Sequence, residues 1–445
     1  MLSTPIQLLQ HATRAHQQNR LDEAAAGYSR VIESDPANVG AYVNLGMVLR
    51  QQKKFAAARL AYARAIHLAP QDASIFSNYG NLLADMKRFD EAAAMQARAL
   101  ALDPDNVGYL YNAGVVPFHN NQPRQAIEYF SKVLAVQPDH RDARWNRSLA
   151  YLQQGDYLAG FKEYECRFDR QPTVPHRYSQ PRWAGEDIHD QVLLLTTEQG
   201  FGDVIQFARF IPLVAQRTKA VKVVCRKELV RLVKTVDGVA EVIVKGSKLP
   251  AFDWYAPLLS LPHILQYNVQ NLPNAVPYFH VLPAVTMAFP GGSRPGLKVG
   301  LMWAGKLTPV DRSCPLELFI PLLQHADVNF YSFQLADRQK DINKLGCDAF
   351  IHDLSGSIRD FADTAALLQQ MDLVITIDSA VAHLCGALGV PTWVLLLHAS
   401  DWRWLLARSD SPWYPAMRLF RQGSHGDWQG CLESVYKEAG DLFSG

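Results

Sequence analysis

Three short runs in this chain set small residues beside charged or hydroxyl side chains directly after an apolar stretch, which is where a ligand could be held and acted on. The first is Glu198-Gln199-Gly200-Phe201-Gly202-Asp203, behind "QVLLLTT". Gly200 and Gly202 let an acceptor or a neighbouring backbone approach closely, and Asp203 can either take a proton from an acceptor hydroxyl or cap the following helix. The second is Ile377-Asp378-Ser379-Ala380-Val381-Ala382-His383, behind "DLVIT". Small residues at a helix start leave amides free for a phosphate, with Asp378 and His383 near its oxygens or a hydroxyl. The same small residues also suit plain strand-to-helix packing, and a single histidine can be structural. The third joins Trp303-Ala304-Gly305-Lys306 to Asp311-Arg312-Ser313. Lys306 and Arg312 could grip a phosphate or simply be solvated surface charges. Neither a G-x-G-x-x-G turn with a downstream acid nor a G-x-x-x-x-G-K-[ST] loop occurs, which argues against hydride transfer and P-loop chemistry.

Each run needs a strand before it and a helix after it. "VKVVC", "AEVIV" and "DWYAPLLS" read as strands following the first motif, and "LKVGLMWAG", "NFYSFQL", "DLVITID" and "TWVLLL" form a second series. Apolar runs of this length, alternating with helical patterns, imply parallel sheets covered on both faces, hence two Rossmann-like domains in tandem with ligands at the carboxyl ends of their strands. The aromatic tail "DWRWLLARSDSPWYPAMRLFRQ" reads as a helix crossing back onto the first of these domains, or as a place where Trp402, Arg403 or Trp404 touches a bound ligand. Lys plus Arg number 44 against 43 Asp plus Glu, so no global field favours nucleic acid or an anionic membrane. Six scattered cysteines without a C-x-x-C pair argue against a zinc knuckle or a disulfide framework. No apolar run of spanning length and no leader-like N-terminus is present, so a cytoplasmic protein is expected.

The first third is periodic. Pro36, Pro70, Pro104 and Pro138 recur every 34 residues, with small residues in phase at Gly46, Gly80, Gly114 and Ser148 and at Ala24, Ala58, Ala92, Ala126 and Gly160. Aromatics Tyr28, Tyr62, Phe130 and Tyr164 fill a third phase. This is the tetratricopeptide pattern, in which stacked helix pairs build a solenoid. Asn44, Asn78, Asn112 and Asn146 keep the same period. Their carboxamides could pair with the backbone of an extended peptide or hold adjacent repeats together. The expected organisation is a solenoid over 1–170, a proline-broken linker over 171–188, and Rossmann-like domains over 189–290 and 291–445.

"EQGFGDVIQFARFIPLV" and "DLVITIDSAVAHLCGALGVPTWVLL" resemble the paired motifs of the ADP-heptose:lipopolysaccharide heptosyltransferase family, over roughly residues 190 to 400. The resemblance implies a GT-B fold, with 189–290 as the acceptor-side domain and 291–445 as the nucleotide-sugar domain ending in a crossing helix, and inverting sugar transfer from a nucleotide sugar, with no D-x-D metal motif and no cofactor. It implies Asp203 as base, Lys306, Arg312, Asp378, Ser379, Ala380 and His383 around the donor, and Gly200 and Gly202 on the acceptor side. Ala380 stands where that family has glycine. A solenoid with an asparagine ladder joined to a transferase is similar to the O-linked N-acetylglucosamine transferases and to bacterial flagellin glycosyltransferases. The ladder would then hold a polypeptide acceptor for transfer to Ser or Thr. The alternatives are a non-catalytic solenoid adaptor with a degenerate transferase domain, and a heptosyltransferase-like enzyme acting on a glycan or lipid.

Overall fold

A computed structural model describes residues 4–170, 178–281, 296–308 and 310–443, which divide into two compact units, Met1–Tyr151 and Leu152–Gly445.

In the first unit the 34-residue period becomes helix pairs: Pro5–Gln17 with Leu21–Ser34, Val39–Gln51 with Phe55–Leu68, Ala73–Asp85 with Phe89–Leu102, and Val107–His119 with Pro123–Val136. A ninth helix, Arg141–Gln154, runs across the boundary between the units. Each pair begins on a cap at the same phase: Asn38, Asp72 and Asn106 accept from amides two or three residues on, and His140 Nδ1 accepts from Ala143. The turn inside each pair holds a left-handed residue, Asn19, Lys53, Lys87 or Asn121, with φ between 58° and 62°.

Close packing inside a pair depends on the small residue of its first helix. A Cβ on Gly46 would lie 2.7 Å from Tyr62 Cζ, and one on Gly114 would lie 2.7 Å from Phe130 Cε1. Both rings are fully buried. Gly114→Ala is therefore expected to lower solenoid stability by about 1–3 kcal/mol, read as a lower thermal midpoint, and Phe130→Leu in the same chain is expected to recover part of the loss.

The second unit contains two wholly parallel sheets. The first has strands β1 (Ile188–Thr196), β2 (Thr218–Cys225), β3 (Val239–Val244) and β4 (Trp254–Pro257) in the order β3-β2-β1-β4. The second has β5 (Leu297–Met302), β6 (Val328–Ser332), β7 (Ile351–Asp353), β8 (Leu373–Ile377), β9 (Thr392–Leu396) and β10 (Met417–Arg421) in the order β10-β9-β8-β5-β6-β7. The order reverses between β1 and β4 and between β5 and β8, which are the switch points where an open α/β sheet leaves a crevice. The fold is thus a helical solenoid followed by two layered α/β parts with parallel sheets flanked by helices.

Three local features differ from the sequence reading. β7 is only three residues long and β10 carries Arg418 and Arg421 among its five residues, so neither forms the apolar run that marks a central strand. The tail is not a crossing helix: Trp402–Trp404 is a single 3-10 turn, Pro412 and Pro415 interrupt the stretch after it, and Met417–Arg421 is strand. The terminal helix Trp428–Phe443 instead packs Cys431, Leu432, Val435 and Ala439 into the core of the second sheet, with Phe319 and Phe330. The helix Tyr157–Tyr164, within the expected solenoid span of 1–170, packs inside the second unit, where the Tyr157 hydroxyl accepts from Trp413 Nε1 at 3.0 Å. Part of the expected linker, 171–177, and the expected boundary at 290/291 lie outside the described residues. The remainder of the linker joins the first α/β part, with Trp183 buried and its amide bonded to the Tyr255 carbonyl at 2.9 Å.

Candidate functional site

The second and third motifs converge at the β5/β8 switch point. Ser379 caps the nine-residue helix Ala380–Leu388, its hydroxyl accepting from the Ala382 amide at 3.4 Å. That leaves the Ala380 and Val381 amides at the helix start without an acceptor inside the helix. Arg312, on the loop after β5, donates to Asp378 Oδ2 at 2.7 Å and is 38% exposed at its side chain, whereas Asp378 is buried. Burial pushes the Asp378 carboxyl up while Arg312 opposes the shift, and the same pair raises the arginine. The loop is anchored by Gln334, which the sequence reading missed: Gln334 accepts from the Ala304 amide at 2.9 Å and donates to its carbonyl at 3.2 Å. Lys306 is exposed on that loop, and Gly305 donates to Ser313 Oγ at 3.2 Å. The arrangement presents a cation and helix-start amides side by side, which suits an anionic oxygen.

The first motif faces this site from the other α/β part. Gly200 is the N-cap of the short helix Phe201–Phe207, and its amide donates to Asp203 Oδ2 at 2.8 Å. The other oxygen, Oδ1, accepts from Arg403 Nη2 at 2.5 Å. Arg403 is buried and also donates to Asp401 Oδ1 at 2.8 Å and to Gln206 Oε1 at 2.6 Å. Burial alone would push the Asp401 carboxyl up, yet Arg403 holds it below its usual range. Gly202 serves the contact between helices: a Cβ there would lie 2.8 Å from His383 Cδ2. Glu198 and Gln199 are tied down by Arg167 at 2.8 Å and by the Tyr164 hydroxyl at 2.7 Å. A further link between the α/β parts, with no sequence motif, is Arg231 to Asp363 at 3.0 Å and to Asp360 at 3.1 Å.

The structure thus groups Lys306, Arg312, Asp378, Ser379 and Ala380 at one switch point, with Asp203, Gly200 and Gly202 on the opposing helix. His383 lies inside the packing rather than at the surface of the site, with Nδ1 2.9 Å from the Tyr414 hydroxyl and its ring stacked on Trp404 at 5.3 Å. In the solenoid the four asparagines are half-buried on successive first helices. Asn112 donates to Ser77 Oγ and Asn146 to the Tyr111 hydroxyl, each at 3.0 Å and each reaching the preceding repeat.

The chain matches the tetratricopeptide repeat family over residues 9–73, 73–106 and 118–165. It is 27% identical to Protein FlbA of Caulobacter vibrioides over 319 residues, covering 65% of this chain and 53% of that protein, so it spans about half the length of this relative. Among solved structures, the Pseudomonas aeruginosa pilF structure is 22% identical with a TM-score of 0.34, covering 36% of this chain and 74% of that one. The structure of YrrB, described as a TPR protein with an unusual peptide-binding site, is 20% identical with a TM-score of 0.32, covering 38% and 88%. A MamA structure is 20% identical with a TM-score of 0.34, covering 39% and 100%.

Burial, followed by the nearby Arg403 charge, lowers the His383 pKa to about 3 from an ordinary value of 6.5. The unfolded chain takes up a proton near pH 6.5 and the folded one only near 3, so the contribution of neutral His383 is complete above 6.5 and is lost as pH falls through this window. Denaturant titrations at pH 7 and pH 5 are expected to show the wild type losing about 2 kcal/mol more than His383→Gln.

Proposed function

We propose that the chain is an inverting glycosyltransferase that moves a sugar from a nucleotide sugar to a Ser or Thr hydroxyl of a polypeptide held by the solenoid. The observation that carries this reading is the meeting of Arg312 and the Ala380 and Val381 amides at a switch point, opposite Asp203 on the facing helix. The donor phosphates occupy the helix start beside Arg312, with Lys306 reaching in from its loop. The acceptor oxygen attacks the anomeric carbon as the sugar–phosphate bond breaks, its proton passes to Asp203, and the charge left on the departing phosphate is stabilised by Arg312 and the amides, each well-placed donor contributing about 3 kcal/mol. No step calls for a metal ion, in keeping with a sequence that lacks a D-x-D motif after its strands. The repeats supply the protein-binding part, and the likeness to FlbA reaches beyond them, since 319 aligned residues exceed the repeat segment.

A second reading is a nucleotide-binding adaptor without turnover. It is favoured by the engagement of both Asp203 oxygens, with the Gly200 amide and with Arg403, bonds that an acceptor hydroxyl would have to share or displace. The two readings separate in one experiment. Thermal shifts against UDP, GDP, ADP, CMP and their sugar conjugates are expected to pick out one nucleotide, with affinity reduced at least tenfold in Arg312→Ala and retained in Asp203→Asn. Transfer to a polypeptide acceptor is expected to fall by about 10²-fold or more in Asp203→Asn. Nucleotide binding with no transfer by the wild type would leave the adaptor, and no nucleotide binding would overturn both. Substituting Asn44, Asn78, Asn112 and Asn146 together by Ala is expected to abolish acceptor binding with nucleotide binding intact; unchanged acceptor affinity would remove the ladder from the binding surface.

A further inference from the structure

The third repeat breaks the pattern of its neighbours. Tyr28, Tyr62 and Phe130 are fully buried at one phase of the second helix, and at that phase the third repeat carries Gln96. Gly80 beneath it keeps the space an aromatic ring would need, since a Cβ there would lie 2.7 Å from Gln96 Nε2. The amide is 1% exposed. Its Nε2 donates to the Ser77 carbonyl and to Asn81 Oδ1, each at 3.0 Å. A backbone carbonyl can only accept, so this bond fixes which end of the amide is NH2 and leaves Oε1 as the remaining end. Oε1 is buried with no donor.

Gln96 lines a small cavity between the helices Phe89–Leu102, Val107–His119 and Pro123–Val136. Pro117, inside the second of these helices, lines it as well, and so does Ala113 four residues earlier. A proline has no N–H, so the Ala113 carbonyl lacks the amide that a helix would normally supply. The cavity therefore has one buried side-chain acceptor short of a donor, Gln96 Oε1, beside a helix turn that lacks one amide. Asp90 and Gln125, both exposed, stand at its rim, and the Tyr129 ring forms part of its wall. An unpaired acceptor inside, a carboxylate at the mouth and an aromatic wall together describe a group that is cationic and donates hydrogen bonds. An anion or an aliphatic chain would leave Gln96 Oε1 unpaired, at the cost of a buried polar group.

We propose that this cavity is a socket for a cationic side chain, lysine or arginine, of a polypeptide bound by the solenoid. The ammonium or guanidinium donates to Gln96 Oε1, with Asp90 balancing its charge. This inference goes beyond the transferase reading and does not depend on it, because the socket lies wholly within the repeats and would select a protein ligand with or without sugar transfer.

The test uses the full chain with N-acetyl-lysinamide, and N-acetyl-norleucinamide as the uncharged analogue, followed by saturation-transfer NMR and by crystals soaked in the lysine probe. The lysine probe is expected to bind and to appear in the cavity, with the norleucine analogue at least fivefold weaker. Gln96→Leu is expected to weaken the lysine probe at least fivefold, and the exposed substitution Asp90→Asn a few-fold without loss of thermal stability. Equal binding of the two probes, unchanged affinity in both variants, or ordered water alone in the soaked cavity would overturn the proposal.

Discussion

A buried guanidinium holds the α/β part of this protein together. Arg403 lies out of solvent on the segment after β9, and three acceptors surround it: Asp401 beside it, and Asp203 and Gln206 on the helix of the other α/β part. Removing one member of such a group strands a charge in a low-dielectric setting, at a cost of several kcal/mol. The tail 401–414 and the Gly200–Asp203 turn are therefore fixed with respect to one another. Arg209 repeats the device in the opposite direction, donating from the first α/β part to the Trp413 carbonyl at 2.7 Å and to the Pro273 carbonyl at 3.1 Å, under the faces of Trp413 and Tyr414. With both arginines in place, the tail becomes a strap rather than a helix.

This constraint also sets the electrostatics of the candidate site. Asp203 is at once a cap and an ion-pair partner, so its position is defined by bonds to both of its oxygens. On the facing side, Asp378 serves Arg312 in a similar way: it is buried, it orients the guanidinium, and it leaves that group partly open to solvent. The helix-start amides add a fixed partial positive charge. Each side thus couples an acid to an arginine, but of the two arginines Arg312 is the one open enough to exchange its partner for a ligand. His383 contributes differently, as the neutral ring that fills the space left by Gly202 between the two helices.

The solenoid follows another logic, in which stability accumulates pair by pair. Capping residues, left-handed turn residues and glycines under aromatic rings recur at one period, so most repeats are interchangeable in their packing. The exceptions are polar: Ser77 and Gln96 in the third repeat carry a network that extends to Asn112 of the fourth. Two members of the asparagine ladder thereby bind the preceding repeat through their NH2 groups, which still leaves their carbonyl oxygens as acceptors.

The sequence by itself determined the repeats, because a 34-residue period writes every helix, cap and close approach several times over, and it determined the central strands, because burial on both faces demands apolar runs such as those of β5 and β8. It also located the three motifs, since glycine and small residues after a strand carry a local backbone requirement. Edge elements were not legible: β7 is too short and β10 too polar to stand out, and the prolines and tryptophans of the tail gave composition without direction. Only the tertiary structure decided what the side chains at the motifs do. Arg403 meets Asp203 across 200 positions of sequence, Arg231 meets Asp363 across 132, and Gln334 reaches the Ala304 backbone from the next strand. Pairings of buried charge depend on which groups the fold deprives of water together, and no local pattern records that.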